Sequence, residues 1–215
     1  MSDAGPGAGG PGAGGPDPTR RAGQAGRPRP PIDVVVDGTD GAGKTACVRF
    51  LLDRWTRRGL AVASYAPYRE QEVYPLWAAE PERAAQIITA IMARFRAAHA
   101  SADVVVWDRG WPTAFVSTTD PRARAAFEPL PPLTVLLLSS TDRTRAKARA
   151  LELPGVWVRD DALVEHYNAA YHALGGAPGE RKLLRAAPDA SGTFDFEHIA
   201  HELEPDLEAL VGQCY

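Results

Sequence analysis

The run Gly38-Thr39-Asp40-Gly41-Ala42-Gly43-Lys44-Thr45 fits the pattern G-x-x-x-x-G-K-[ST]. These are the residue types a phosphate cradle needs. Glycines reach positive φ and let the backbone approach an anion closely. Successive N–H groups at a helix N-terminus then surround the phosphate oxygens. In such a loop Lys44 reaches the outer phosphates and the Thr45 hydroxyl ligates Mg²⁺. A glycine-rich turn that binds nothing would explain the glycines but not the Lys-Thr that follows them.

A second constellation is Asp108-Arg109, which ends the apolar run Val104-Val105-Val106-Trp107. A carboxylate at a strand end can hold Mg²⁺ directly or through water. Arg109 beside it can clamp a phosphate bidentately. Without the glycine loop, a capping or surface ion pair would be the plainer reading of this pair. A third group is Arg143, Arg145, Lys147 and Arg149, with Arg145 and Arg149 on one helical face. Any one of them alone reads as a solvated charge; together they can supply an arginine from a closing lid to a transferred phosphoryl group. His166, His172, His198 and His201 have no partners at zinc-ligand spacing. No Asn-Lys-x-Asp guanine-reading sequence occurs, since Asn168 is the sole asparagine.

The elements that must position these residues follow from periodicity. Ile32 to Val36 reads as a strand buried on both faces. Thr45 to Arg57 reads as a helix with Cys47, Phe50, Leu51 and Trp55 on one side, ended by Gly59. Leu60 to Tyr65 is a second strand, followed by a loop that carries Arg69. Pro75 to His99 is helical, with Pro81 starting its longer part and Ile87, Ile88, Ile91, Met92 and Phe95 as its apolar stripe. Val104 to Arg109 is the third strand, Pro112 to Phe127 one or two short helices, and Thr134 to Leu138 the fourth strand. A basic helix over Asp142 to Leu151, a helix over Asp160 to Leu174, a strand over Lys182 to Ala186 and a helix over Phe196 to Val211 complete the series. Alternating strands and helices predict a parallel sheet with helices on both faces, its ligands at the carboxyl ends of the strands.

Length and composition bound the rest. The chain has 215 residues, 45% hydrophobic, with net charge -3, which suits one α/β domain. Residues 1–31 hold nine glycines, seven prolines and no Val, Ile, Leu or aromatic residue, so a disordered tail is expected there and the domain over 32–215. Four arginines of that tail could touch nucleic acid, but an acidic body argues against a nucleic-acid surface, and a solvated extension is the favoured reading. Two cysteines, Cys47 and Cys214, make no disulfide framework and point to a reducing, cytoplasmic setting. No secretory signal is read at the N-terminus, and no apolar run is long enough to span a membrane.

At this point the pattern resembles the thymidylate kinase family of P-loop nucleoside monophosphate kinases. Asp37 to Thr45 looks like that family's Glu-Gly-x-Asp-Gly-x-Gly-Lys-[ST], and Asp108-Arg109 like the start of its Asp-Arg-Tyr. Arg96-Ala97-Ala98-His99 is similar to its Arg-x-x-His, and Arg143 to Arg149 lies where the family has its lid, about 141–160. The resemblance covers roughly residues 32 to 212. It implies a three-layer α/β/α P-loop fold with a five-stranded parallel sheet and a helical lid, and ATP and Mg²⁺ as cofactors. It implies that Gly38, Asp40, Gly41, Ala42, Gly43, Lys44, Thr45 and Ala46 bind ATP, and that Thr45 and Asp108 serve the metal. Lys44, Asp108, Arg109, Arg145 and Arg149 are then the catalytic set. Asp40, Arg69, Arg96 and Arg109 face the acceptor, with Arg109 on its phosphate and Arg96 on a pyrimidine base. Gly110 stands where the family has tyrosine, Ala114-Phe115-Val116 replaces Ala-Tyr-Gln, and Arg69-Glu70-Gln71 replaces Arg-Glu-Pro-Gly-Gly. These departures mark a divergent member and concentrate at the acceptor side.

The expected activity is transfer of the ATP γ-phosphoryl group to a nucleoside monophosphate, dTMP or a related pyrimidine nucleotide. The runner-up is a deoxynucleoside or other small-molecule hydroxyl kinase, which needs a general base, Asp37 or Asp108. A non-catalytic nucleotide-binding switch is the third reading. The expected partner is a small nucleotide, with neither nucleic acid nor membrane; the resemblance carries a homodimer as its expectation.

Overall fold

The computed structural model describes residues 30–39, 41–69, 73, 75–140, 142, 161–175 and 182–212, the side chain of Asp161 excepted. The tail up to residue 29, Asp40 and the basic segment 143–160 with Arg145 and Arg149 lie outside the described residues.

Five parallel strands run β1 (Ile32–Gly38), β2 (Val62–Tyr65), β3 (Val104–Asp108), β4 (Leu133–Leu137) and β5 (Lys182–Ala186), in the order β2-β3-β1-β4-β5. The described helices are α1 (Lys44–Arg57), α2 (Leu76–Ala79), α3 (Pro81–Ala98), α4 (Trp111–Ser117), α5 (Pro121–Ala125), α6 (Asp161–Ala173) and α7 (Phe196–Gly212). The three-layer α/β/α fold and its five-stranded parallel sheet are thus as the sequence predicts.

Strand alternation sorts the core into its two faces. Val34 and Val36 face α1 and α7 with Cys47, Leu51 and Trp55, whereas Val35 faces α3 and α4 with Ile88, Trp107 and Trp111. A smaller cluster of Val116, Leu136, Leu138 and Tyr171 seats α6 on the α4 side. Fully buried Leu or Ile side chains contribute about 1.5–3 kcal/mol each relative to exposure, so these clusters carry most of the fold's favourable energy.

Element bounds depart from periodicity for local reasons. Leu60 donates its N–H to the Trp55 carbonyl (3.1 Å), so it completes the turn after α1 and the β2 ladder starts at Val62. Pro81 at the first turn starts α3, and the stretch before it is the separate short helix α2. Asp120 caps α5 by accepting from the Arg122 N–H (2.8 Å). α1 is fastened to α7 by Glu204, which accepts from Arg54 Nε (2.6 Å) and pairs with Arg58 (2.7 Å). Those two guanidiniums hold the Glu204 carboxyl below its usual range.

Arg96 requires a correction. Its guanidinium lies 5.2 Å over the Trp107 ring and pairs with Asp33 at 2.6 Å, while Trp107 Nε1 donates to the same carboxylate at 2.8 Å. Asp33 stands four residues before Asp37 on β1, roughly 13 Å along the strand from the phosphate end. Because α3 runs antiparallel to the strands, its last turn arrives at their amino ends, and Arg96 cannot read a base at the other end. Arg96→Leu is expected to cost about 1–3 kcal/mol of stability by leaving a largely buried carboxylate without its cation. Turnover should stay within about twofold, since the pair does not touch the site. A thermal melt and steady-state rates on the same preparation check both halves.

Candidate phosphate-transfer site

β1 delivers the glycine loop at the carboxyl edge of the sheet. Gly38 is still in register with Leu137 of β4, and its φ of +135° lies in the region that favours glycine. A Cβ there would stand 2.2 Å from the Leu137 carbonyl oxygen. Gly41 (φ 74°) and Gly43 (φ 91°) turn the chain into α1. The first intrahelical bond runs from the Cys47 N–H to the Gly43 carbonyl (2.9 Å), so the amides of the first turn have no carbonyl four residues back. No acidic residue occupies that turn, which leaves its positive dipole end for an external anion. Ala42 is buried in the loop, and the buried Thr39 hydroxyl oxygen has no hydrogen-bond partner among the described residues.

Lys44 folds back over the loop. Its Nζ donates to the Gly38 carbonyl (3.0 Å) and the Thr39 carbonyl (2.7 Å). Burial pushes its ammonium down from 10.5 to about 8, while Asp37 and Asp108 pull the other way. A bound polyphosphate would reverse that shift by supplying close negative charge.

Asp108 and Asp37 come from neighbouring strands and point to opposite faces. Asp108 shares the face of Val104 and Val106, toward α1; Asp37 shares the face of Val35, toward α4. Asp108 Oδ2 therefore accepts from the Thr45 hydroxyl at 2.7 Å. Two hard oxygen donors side by side at a helix N-terminus fit Mg²⁺. Among the described residues no group of three His, Cys, Asp or Glu side chains could hold a metal, and the two oxygens described at this position are those of Thr45 and Asp108. Exposed Arg69 reaches to 3.9 Å of Asp108 Oδ2, and with Thr45 and Ser64 they line a cavity of about 310 Å³. Cys47 is fully buried on the inner face of α1; burial, and then Asp108, push its thiol up to about 12, so it is an inert core residue.

Arg109 adopts φ 82°, a left-handed conformation rare for a residue with a side chain. Its NH1 reaches Thr113 Oγ (3.2 Å), the Tyr171 hydroxyl (3.5 Å) and the Gly38 carbonyl (3.5 Å). The structure thus brings together Lys44, Thr45, Asp108, Arg109, Arg69 and the loop glycines, and leaves Arg96 out. Sequence reasoning missed Thr113 and the hydroxyl of Tyr171. Tyr171 falls inside the helix predicted over Asp160 to Leu174, and no motif marks its hydroxyl or Thr113. It also offered Asp37 as a general base. That carboxylate has no exposed surface and accepts from the amides of Gly38, Gly110 and Thr113 and from two hydroxyls, so it cannot reach a substrate hydroxyl.

No protein-family model matches the chain, and no curated protein matches it. Among solved structures the chain is similar to a deoxyadenosine kinase from M. mycoides, determined with its products dCMP and a flexible dCDP. The TM-score is 0.50 at 10% identity, over 83% of this chain and 100% of that one. At that identity the likeness concerns the fold, and together with the loop and strand-end geometry it defines a P-loop α/β protein. Among the described residues no helix is long and apolar enough to cross a membrane.

Proposed function

We propose that the chain is an ATP-dependent phosphotransferase whose acceptor is a nucleoside monophosphate, with dTMP or a related pyrimidine nucleotide as the leading candidate. The observation that carries this reading is the convergence of Lys44, the Thr45–Asp108 pair and Arg109 on one edge of the sheet. An acceptor phosphate oxygen would attack the γ-phosphorus, and the bond to the β–γ bridging oxygen would break, leaving ADP. Mg²⁺ supplies charge neutralisation between the phosphates when bound. Lys44 and the first-turn amides of α1 orient the donor, and Thr45 and Asp108 hold the metal side. Arg109 grips the acceptor's phosphate, with Arg69 at the rim as a second cation and Asp40 beside the transfer region. Arg145 and Arg149 would complete the charge stabilisation from the lid. Catalysis on this plan is positioning plus electrostatics, and water is excluded when the lid closes.

The deoxyadenosine kinase likeness keeps a nucleoside hydroxyl as the rival acceptor. Saturation of Asp37 and engagement of Asp108 by Thr45 weigh against that rival, because neither carboxylate is placed as a base. Arg109→Ala separates the two. With a monophosphate acceptor its KM should rise about 10–100-fold, the loss expected when a charge-assisted phosphate contact is removed. With a nucleoside acceptor KM should hardly move. Initial rates with dTMP and thymidine on wild type and variant decide between them.

A further inference from the structure

Asp37 is spent on no substrate in the scheme above, yet it is a fully buried carboxylate at the phosphate edge. Its surroundings give it a different task. We infer that Asp37, Thr113 and Tyr171 form a positioning relay that fixes the Arg109 guanidinium and couples it to α6; the inference rests on the reading of Arg109 as the anion-gripping residue.

The backbone comes first. A left-handed arginine persists only where its neighbours over-determine it. Arg109 donates its N–H to the Val36 carbonyl (2.9 Å). The next amide, Gly110, donates to Asp37 Oδ2 (3.0 Å), and the Thr113 amide donates to the same oxygen (2.9 Å). The Gly110 carbonyl accepts from the Tyr68 hydroxyl (2.9 Å). A Cβ on Gly110 would stand 3.0 Å from both methyls of Val35, so this turn lies flat against β1. Asp37 thus caps the start of α4 from another element and pins the chain just beyond the strained residue.

The hydroxyls come second. An ionised carboxylate only accepts, so the protons around it are ordered. Thr113 Oγ lies 2.8 and 2.9 Å from the two Asp37 oxygens, and the Tyr171 hydroxyl lies 3.0 Å from Oδ1. Tyr171 donates to Asp37, and Thr113 Oγ, which also lies 2.9 Å from the Tyr171 hydroxyl, gives its one proton to Asp37 or to the tyrosine oxygen. In both arrangements the two oxygens keep lone pairs toward Arg109 NH1 at 3.2 and 3.5 Å. The guanidinium is itself 3.7 Å from Asp37 Oδ1. Burial, then Asp37, push the Tyr171 hydroxyl well above its usual range, so it remains a donor throughout the working pH range.

Tyr171 belongs to α6, and α6 follows residues 143–160 in the chain. A shift of α6 of about an ångström would break the tyrosine contact, given how steeply hydrogen bonds weaken with distance. Arg109 would then lose one of its two hydroxyl acceptors. Coupling of this kind is reciprocal: fixing Arg109 on an anion must favour the docked position of α6.

Tyr171→Phe keeps the ring and removes the hydroxyl; Thr113→Val keeps shape and amide and removes the other. Amide hydrogen exchange on the full chain without ligand reads the coupling. Tyr171→Phe should speed exchange across residues 109–114 by about tenfold, and Thr113→Val should speed it in 167–173. Changes confined to the element carrying the substitution would overturn the relay. In turnover with Mg-ATP and dTMP, Tyr171→Phe should raise the KM for dTMP about tenfold with KM for ATP within twofold, and this loss of acceptor binding should shrink below twofold in an Arg109→Lys background. Equal losses in both backgrounds would overturn it too. A wild-type chain that turns over no acceptor would sink the kinase reading alone, and the exchange result would then decide the relay by itself.

Discussion

Lys44→Met is expected to abolish phosphotransfer and, in the absence of nucleotide, to make the protein more stable. The lysine is held over the phosphate loop with its ammonium out of water, and burial lowers it from 10.5 to about 8. That difference corresponds to an unfavourable contribution of about 3 kcal/mol in the ligand-free fold. The sign follows from proton linkage. Below about pH 8 both folded and unfolded chains carry the charge, and the cost is fully present. As pH rises from about 8 toward 10.5 the folded chain releases its proton first, and stability from this group increases. Methionine removes the charge but also leaves the Gly38 and Thr39 carbonyls without the Nζ donor. The net gain should be about 1–2 kcal/mol, or a rise in Tm of roughly 2–8 °C. Turnover should fall at least about a thousandfold, because the lysine's charge is arranged for the transferring phosphates. Nucleotide should raise the wild-type Tm and leave that of the variant nearly unmoved. A variant less stable than wild type at pH 7 would mean that the lysine is held for structure.

Gly38→Ala is expected to cost the fold itself. The methyl group would sit 2.2 Å from the Leu137 carbonyl oxygen and 3.0 Å from its carbonyl carbon and nitrogen. Those atoms belong to the central strand pair β1–β4, where backbone cannot give way as a side-chain tip can. The φ of +135° adds strain for any residue with a Cβ. Either β4 is pushed off register at the phosphate edge or the loop is displaced. A loss above about 4 kcal/mol is the scale for such backbone collisions, which a domain with about 5–15 kcal/mol in total barely survives. Urea unfolding should show a collapsed midpoint or no folded baseline. A midpoint within about 0.5 M of wild type would show that the close approach of the strands is not needed, given slopes of 1–3 kcal/mol per molar.

How much of this was legible in the sequence depends on range. The loop Gly38–Thr45, the strand-end Asp108 and the runs that became β1, β3 and β5 are local patterns, and each stands close to where periodicity put it. The Thr45–Asp108 contact spans 63 positions, yet it could be anticipated because a motif fixes both ends. Arg96 shows the opposite case. Its motif suggested a base-reading role, but the antiparallel run of α3 carries it to Asp33, also 63 positions away, where no pattern announces a partner. Asp37 is one of the two base candidates that the runner-up hydroxyl-kinase reading needs. Its actual surroundings come from α4 and from Tyr171, 134 positions on, and depend on which face of β1 it takes. Pairings set by sheet alternation and helix direction become visible only when the layers are assembled.

The most direct test of the central claim is ADP release from Mg-ATP across a panel of nucleoside monophosphates and nucleosides, with Lys44→Met as background. The account predicts release that depends on a monophosphate acceptor and disappears in the variant. Nucleotide binding by the wild-type chain with no acceptor-dependent ADP, or equal release by wild type and variant, would contradict it.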